Sequence, residues 1–253
     1  MKKRALRKDF YMEIRKSLGR FLSIFFIVAM GVAFFSGIRA SEPDLRYSGD
    51  AYFDRNHLMD LKVMGTLGLT ENDVQAIRSL EGVAQAEPGY SADVMVERDG
   101  NQKVLHVSSI LDSMNQYTVE EGRMPKKDGE CLIDQDFIQG SGLKVGDEIT
   151  LISGTKDPVT DTFTKETFRI VGAGSSPEYI SFHRGSSMIG NGEVSGFLAV
   201  PKESFVTEAY TECYVSVEGA EEETAFTEEY DQKVEKVAAV SYTHLTLPTI
   251  LLV

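Results

Sequence analysis

The chain offers few side chains of the types that usually carry catalysis or hold metals. Its four histidines, His57, His106, His183 and His244, stand in no H-E-x-x-H or H-x-x-H arrangement, so no metal-ligand spacing is present. His106 lies inside an alternating stretch and reads as a surface or edge residue of a strand. Cys131 and Cys213 are far apart in the chain and read as two single buried thiols. Pairing outside the cytoplasm stays open for them, because nothing in the sequence fixes their proximity. Gly172-Ala173-Gly174-Ser175-Ser176-Pro177 follows a strand-like run and has the first two glycines of a phosphate loop. Pro177 stands where a third glycine belongs and no long helix follows, so the stretch reads as a mobile loop rather than a nucleotide site. No G-x-S-x-G elbow and no G-x-x-x-x-G-K-[ST] loop occurs. Glu120-Glu121 and Glu221–Glu223 read as solvated faces rather than acid/base dyads. The sequence therefore names no catalytic, cofactor-binding or metal-ligating residue and leaves substrate-binding residues unknown.

The elements around these residues are set by charge and hydropathy. Of 253 residues 42% are hydrophobic, enough for a folded core in one large or two small domains. The net charge of −13 argues against a nucleic-acid partner, since phosphate neutralisation needs accessible Lys and Arg in excess. That charge is unevenly spread. Residues 1–20 carry +6, so the rest of the chain carries −19.

The sign changes across Phe21–Ile38, a run without a single charge and rich in Phe, Ile and Val. At helical rise this run spans roughly 27 Å, close to the hydrocarbon core of a bilayer. A transmembrane helix over residues 18–39 is the expectation. A cleaved signal peptide would want a shorter apolar run and a better cleavage site than Ile38-Arg39-Ala40, and a buried soluble helix would show a polar stripe. Basic residues flank the run mainly on its N-terminal side, which places residues 1–17 in the cytoplasm and the acidic body outside the cell membrane. Ala5, Leu6, Phe10, Ile14 and Leu18 recur at helical spacing between cations. Residues 1–17 thus read as a basic amphipathic segment against anionic lipid, or only as the topology signal.

After the membrane run, Ser41–Tyr52 is polar, contains Pro43 and Gly49, and reads as a tether within residues 40–60. A β-α-β series starts at Leu61–Met64. Thr70 and Asp73 make a capping box, Val74, Ile77 and Leu80 share a face, and Gly82 suits a helix end. A strand at Val83–Ala86 precedes the alternation of Ala92, Val94 and Val96, the Asp99-Gly100 turn and the returning strand Lys103–Ser108. Between about 119 and 200, short strands at Cys131–Ile133, Glu148–Ile152, Thr167–Val171 and Phe197–Val200 suggest a small barrel or sandwich. Glu212–Val217 alternates with Cys213, Val215 and Val217 on one face. Phe226, Tyr230, Val234 and Val237 are then spaced for a helix over Ala220–Val240, with Glu221–Glu223 at its positive end.

Val237–Val253 has no charge, but Ser, Thr, Tyr, His and Pro interrupt it too often for a second span. Its SYTHLTLPTILLV resembles a translated read-through of a sequencing adapter, so residues 241–253 are expected to be a non-native tail on a truncated protein. A genuine final strand after a Pro-containing turn is the alternative.

Several segments in order resemble the FtsX-like permeases of ABC transporters and their MacB-like periplasmic core domain. Leu18–Arg39 fits the first membrane helix. Glu121-Gly122-Arg123-Met124-Pro125 with Gly129-Glu130-Cys131-Leu132-Ile133 fits the opening of an inserted subdomain. Leu143-Lys144-Val145-Gly146-Asp147-Glu148-Ile149-Thr150-Leu151 fits its turn, and Phe168-Arg169-Ile170-Val171-Gly172 a later strand. The expected fold is α+β. One N-terminal transmembrane helix precedes an extracytoplasmic α/β porter-like domain, its halves at 61–118 and 206–240, split by a small β-rich subdomain at 119–205. The resemblance implies a non-catalytic permease subunit, not an enzyme, without cofactors. Its outer domain would couple ATP hydrolysis by a separate cytoplasmic ABC ATPase subunit to extrusion or release of a lipoprotein, peptide or lipid. The implied partners are that ATPase, the lipid bilayer and, optionally, a second permease copy. A single-pass anchored binding or sensor module is the alternative.

Overall fold

The computed structural model describes residues 2–98, 100–181, 183–244 and 248–252. Residues 1–49 form one compact unit and residues 50–253 another. In the first unit, α1 spans Lys2–Lys16, and α2 runs from Leu18 to Arg55, its last residues from Asp50 onward belonging to the second unit. Among the described residues α2 is the one helix long and apolar enough to cross a membrane. Phe25, Ile27, Met30, Phe34 and Phe35 on it are all exposed, as lipid-facing side chains would be.

Ser41–Tyr52 is helix, not the expected tether. Pro43 removes one backbone donor, yet Ser41 and Ser48 return their hydroxyls to the carbonyls of Ile38 (2.9 Å) and Asp44 (2.7 Å). Arg46 and Glu42, one turn apart, pair at 3.2 Å. Composition alone underweights such local bonds.

The second unit contains two sheets. The smaller holds β1 (Leu61–Leu69), β2 (Val83–Gly89), β10 (Tyr210–Val217) and β11 (Pro248–Leu252) in the order β11-β1-β10-β2, every pair antiparallel. Helix α3 (Glu71–Arg78) and helix α5 (Glu228–His244) cover one face. Val74, Ile77, Val234, Val237 and Ala238 pack there on Leu61, Val63, Cys213 and Val215. Each fully buried Val, Leu or Ile among them contributes about 1.5–3 kcal/mol. The capping box is present, with Thr70 Oγ1 accepting from the Asp73 amide and Asp73 accepting from the Thr70 amide at 2.7 Å. Helix α5 begins later than periodicity suggests. A single 3₁₀ turn at Ala220–Glu222 precedes it, and Phe226 is exposed with a φ of 65°. Glu228, Glu229 and Asp231, rather than Glu221–Glu223, therefore meet the helix dipole.

The larger sheet has seven strands: β3 (Ser91–Arg98), β4 (Asn101–Ser109), β5 (Thr118–Gly122), β6 (Glu130–Asp134), β7 (Glu148–Thr150), β8 (Thr167–Ser175) and β9 (Val194–Val200). Its order is β3-β4-β9-β6-β8-β5 with β7 also on β8, and β4–β9 and β6–β8 are parallel. Ile152, just past β7, exchanges both backbone bonds with Met95 of β3 at 2.7 and 2.8 Å. The sheet thereby curls closed around Val94, Leu105, Ile133, Phe163, Phe168, Ile170 and Leu198, giving the barrel form of the expected insert. Short helix α4 (Gln135–Ser141) follows β6.

The chain thus makes β1, α3 and β2, leaves for the barrel, and returns for β10, α5 and β11. The insertion begins at Ser91 rather than near 119. The β3–β4 hairpin alternates as either sheet would require, and its partners, β9 beside β4 and Ile152 beside Met95, assign it to the barrel. The Asp99 half of its turn lies outside the described residues, while Gly100 has the expected positive φ of 74°. Of the tail, Pro248–Leu252 pairs with Leu61–Gly65, while residues 245–247 and Val253 lie outside the described residues.

Gly172 and Gly174 explain the glycine-rich stretch. Both lie within β8, where a Cβ on Gly172 would overlap the Arg123 carbonyl and one on Gly174 the Thr118 carbonyl. They let β5 approach the sheet, so Gly172–Ser175 is strand rather than the expected mobile loop. Gly174→Ala should therefore cost about 1–3 kcal/mol of stability. Gly140→Ala in α4, with open space around it, should instead add about 0.5 kcal/mol. Urea unfolding of the two variants tests this; equal effects would remove the close-approach explanation.

Candidate coupling junction

The chain leaves the last residues of α2 through the turn Asn56-His57-Leu58-Met59, and this turn is laced to the connection between β4 and β5. The His57 carbonyl accepts from the Asn115 amide and the Asn56 carbonyl from the Gln116 amide, each at 2.8 Å. The Met59 amide donates to Asn115 Oδ1 at 2.9 Å, and Thr118 Oγ1 donates to Asn56 Oδ1 at 3.2 Å. His57 and Asn115 face each other across this seam, both with positive φ, 49° and 48°. Asparagine tolerates that region better than most residues.

Asn115 also reaches onward. Its Nδ2 donates to Glu178 Oε1 at 3.3 Å, and Glu178 Oε2 accepts from Lys62 Nζ at 3.1 Å. Lys62, on β1, pairs at 3.2 Å with Glu212 of β10, and its ammonium lies 5.0 Å from the centre of the Tyr214 ring. Ser91 Oγ at 2.6 Å and the Tyr214 hydroxyl both donate to Glu212. The side chains of Lys62, Glu178 and Glu212 are only 13, 13 and 6% exposed. Burial alone would push the Lys62 ammonium toward its neutral form. The two carboxylates outweigh that and hold its pKa above the ordinary value. Burial likewise pushes Glu212 up, but Lys62, Ser91 and Tyr214 overcome it and hold the carboxyl below its usual range. Lys62 and Glu212 therefore stay ionised as a pair.

A second polar link runs parallel to the first. Glu87 on β2, itself buried, accepts from the Ser113 amide (3.2 Å), the Ser113 hydroxyl (2.9 Å) and Lys202 Nζ (3.0 Å), the last just past β9. A cleft of about 380 Å³ opens beside the 56–59 turn, among Asp50, Phe53, Asp54, Asp60, Glu221 and Tyr230. Burial and then the neighbouring Asp50 and Glu221 raise the Asp54 pKa. Burial also raises Asp60, although Tyr230 and the Val217 amide donate to it at 2.6 and 2.7 Å.

The residues singled out in the sequence are not gathered here. His57 lies in the turn with its side chain exposed, and His106 pairs with Asp93 at 2.7 Å on the barrel. Exposed His183 uses its ring nitrogen to accept from the Gly185 amide at 3.1 Å, and the His244 side chain lies outside the described residues. Cys131 and Cys213 are unpaired thiols buried in separate cores, and burial pushes Cys213 up to about 12. Glu120 and Glu121 are exposed on β5, whereas Glu221 lines the cleft. Among the described residues no group of three or more His, Cys, Asp or Glu could hold a metal ion. Lys62, Asn115, Glu178 and Glu212 went unread. The available signal was Lys62 inside an apolar strand, together with Glu212 on the Tyr214 face of β10.

Two solved structures align with most of the chain. One is the extracellular domain of the noncanonic ABC-type transporter YknZ from Gram-positive bacteria (TM-score 0.42, 10% identity, 76% of this chain and 98% of that chain). The other is the periplasmic region of MacB from Actinobacillus actinomycetemcomitans (TM-score 0.41, 10% identity, 76% and 87%). No curated protein sequence matches the chain. The profile of the MacB-like periplasmic core domain matches residues 18–233, and the chain belongs to that family. It is a membrane-anchored transporter component with an extracytoplasmic domain.

Lys62→Met should leave Glu178 and Glu212 charged and buried together, destabilising the outer domain by about 3–5 kcal/mol at pH 7. Without the cation Glu212 loses the partner that most holds it below its usual range against burial, so its carboxyl protonates more readily in the folded variant and the penalty should shrink as pH falls from 7 toward 5. Urea midpoints of parent and variant at both pH values check this. A penalty that does not change with pH would mean the carboxylates are not confronting each other.

Proposed function

We propose that this chain is the permease subunit of an ABC transporter in the plasma membrane, with residues 1–17 in the cytoplasm. In this reading its outer domain couples ATP hydrolysis by a separate cytoplasmic ATPase subunit to extrusion or release of a lipoprotein, peptide or lipid. Membership of the MacB-like family is the observation that carries it. The bonded path supports it locally: the 56–59 turn holds Asn115, Asn115 holds Glu178, and Lys62 ties Glu178 to Glu212. A displacement of the turn is passed by these bonds to both sheets at once, because packed, hydrogen-bonded elements move as bodies. The permease itself then needs no catalytic group.

The basic residues before the apolar run support the orientation. Single cysteines introduced at Lys8 and at exposed Glu120 test it, with the buried native thiols replaced by serine or alanine. Membrane-impermeant maleimide on intact cells should label the second and spare the first until the membrane is opened. The reverse pattern would overturn the topology. Co-purification of a nucleotide-hydrolysing subunit with the membrane-anchored protein tests the coupling. An anchored binding or sensor module would yield the same labelling without the ATPase.

A further inference from the structure

Between β8 and β9 the chain runs from 176 to 193 with no helix or strand among its described residues. Loops of that length inside a compact domain are uncommon and usually functional. This one is strapped down at three points. Glu178 meets Lys62 and Asn115 as described. Arg184, with only 9% of its side chain exposed, bonds Asp134 at 2.8 and 3.2 Å and Asp136 at 2.7 Å. Ser187 Oγ donates to Asp93 at 2.6 Å. The strap nevertheless leaves Ile180 and Met188 exposed to solvent.

Its first residues are held the way a ligand is held. Both oxygens of the Glu178 carboxylate are taken, one by an ammonium at 3.1 Å and one by an amide at 3.3 Å. The next side chain, Tyr179, stacks on Phe197 of β9 with ring centres 5.5 Å apart and planes at 12°. Tyr117 flanks Phe197 at 5.7 Å, over the buried Leu132 and Ala199. None of these receiving groups depends on the strap for its position. Lys62 is fixed by Glu212 and the Tyr214 ring, Asn115 by the 56–59 turn, Phe197 by its strand, and Tyr117 by its hydroxyl 2.9 Å from Ser108.

We propose that Glu178 and Tyr179, presented by the turn in which the Tyr179 amide donates to the Ser176 carbonyl at 3.1 Å, occupy from within the chain a receptor for a peptide turn that carries a carboxylate side chain followed by an aromatic one. Lys62 and Asn115 receive the carboxylate, Phe197 and Tyr117 receive the ring, and lifting the strap exchanges the internal occupant for an external one. The adjacency of the two anchors favours a peptide, whose backbone spaces acid and ring as the strap does. This inference goes beyond the coupling reading and stands without it, since peptide binding and membrane topology are read separately.

The test uses the full chain in lipid nanodiscs and a fluorescent, amidated hexapeptide Ser-Pro-Glu-Tyr-Ile-Ser, the sequence of residues 176–181. Fluorescence polarisation should show it binding the Glu178→Ala/Tyr179→Ala variant at least about tenfold more tightly than the parent. Adding Lys62→Met, or replacing the peptide's Glu by Gln, should each remove about tenfold of that affinity. Equal binding to parent and variant, or indifference to both the Lys62 and Gln changes, overturns the receptor and leaves an ordinary packed loop. If the double variant does not melt cooperatively, Arg184→Gln carries the comparison, since it loosens the strap without touching the receiving groups. There, amide exchange at 178–181 and peptide binding should rise together; faster exchange without binding overturns the proposal.

Discussion

A lysine ammonium that is 13% exposed needs fixed anionic partners, and in this domain they come from two different layers. Lys62 could pair with Glu212 alone, its neighbour on the adjacent strand, and be electrically neutral. Taking Glu178 as well leaves the group with one excess negative charge, tolerable only because Asn115, Ser91 and the Tyr214 hydroxyl each donate into it. That requirement draws three connections to one point: the β4–β5 loop, the strap after β8, and the start of β3. The barrel sits against the smaller sheet where those donors have to be.

The apolar cores are arranged around the same constraint. Strand β10 is two-faced: Cys213, Val215 and Val217 enter the core under α3 and α5, while Glu212 and Tyr214 face the barrel side. Tyr214 packs with Met59, Leu111 and Met114, so a small apolar cluster lies beside the ion group. Low dielectric strengthens every bond in the network and equally raises the cost of losing one. An all-apolar contact between the sheets would hold them as firmly without specifying which loops meet. The buried charges supply that selectivity, since a wrong loop leaves an ion unpaired.

Much of the architecture could be read in the sequence because it rests on local rules. The charge-free run from Phe21 to Ile38, the Thr70–Asp73 box and the one-sided apolar face of Cys213, Val215 and Val217 each follow from a periodicity or a cap. The insertion was legible, but not its start, because the β3–β4 hairpin looks the same in either sheet and long-range pairing with β9 and Ile152 decides. The helical Ser41–Tyr52 was hidden by Pro43 and Gly49, which read as breakers until side chain to backbone bonds are counted. The junction was the least legible part. Lys62, Asn115, Glu178 and Glu212 are scattered over more than half of the chain, and no spacing rule relates them.

The same distances bear on what the junction can do. A contact made only by apolar surface loses free energy gradually as it is pulled apart, whereas a buried ion group fails at the step where a carboxylate leaves its cation. Glu178 is the partner whose departure costs least, because Lys62 then keeps Glu212 and the remaining pair is neutral. Opening at this point would shed the excess charge rather than create one, and the barrier lies in the strap's other holds at Arg184 and Ser187. The junction is therefore built with one exchangeable arm and two fixed ones. In the proposed exchange, that asymmetry would give a packed domain two discrete arrangements, the condition for passing a displacement from one end to the other.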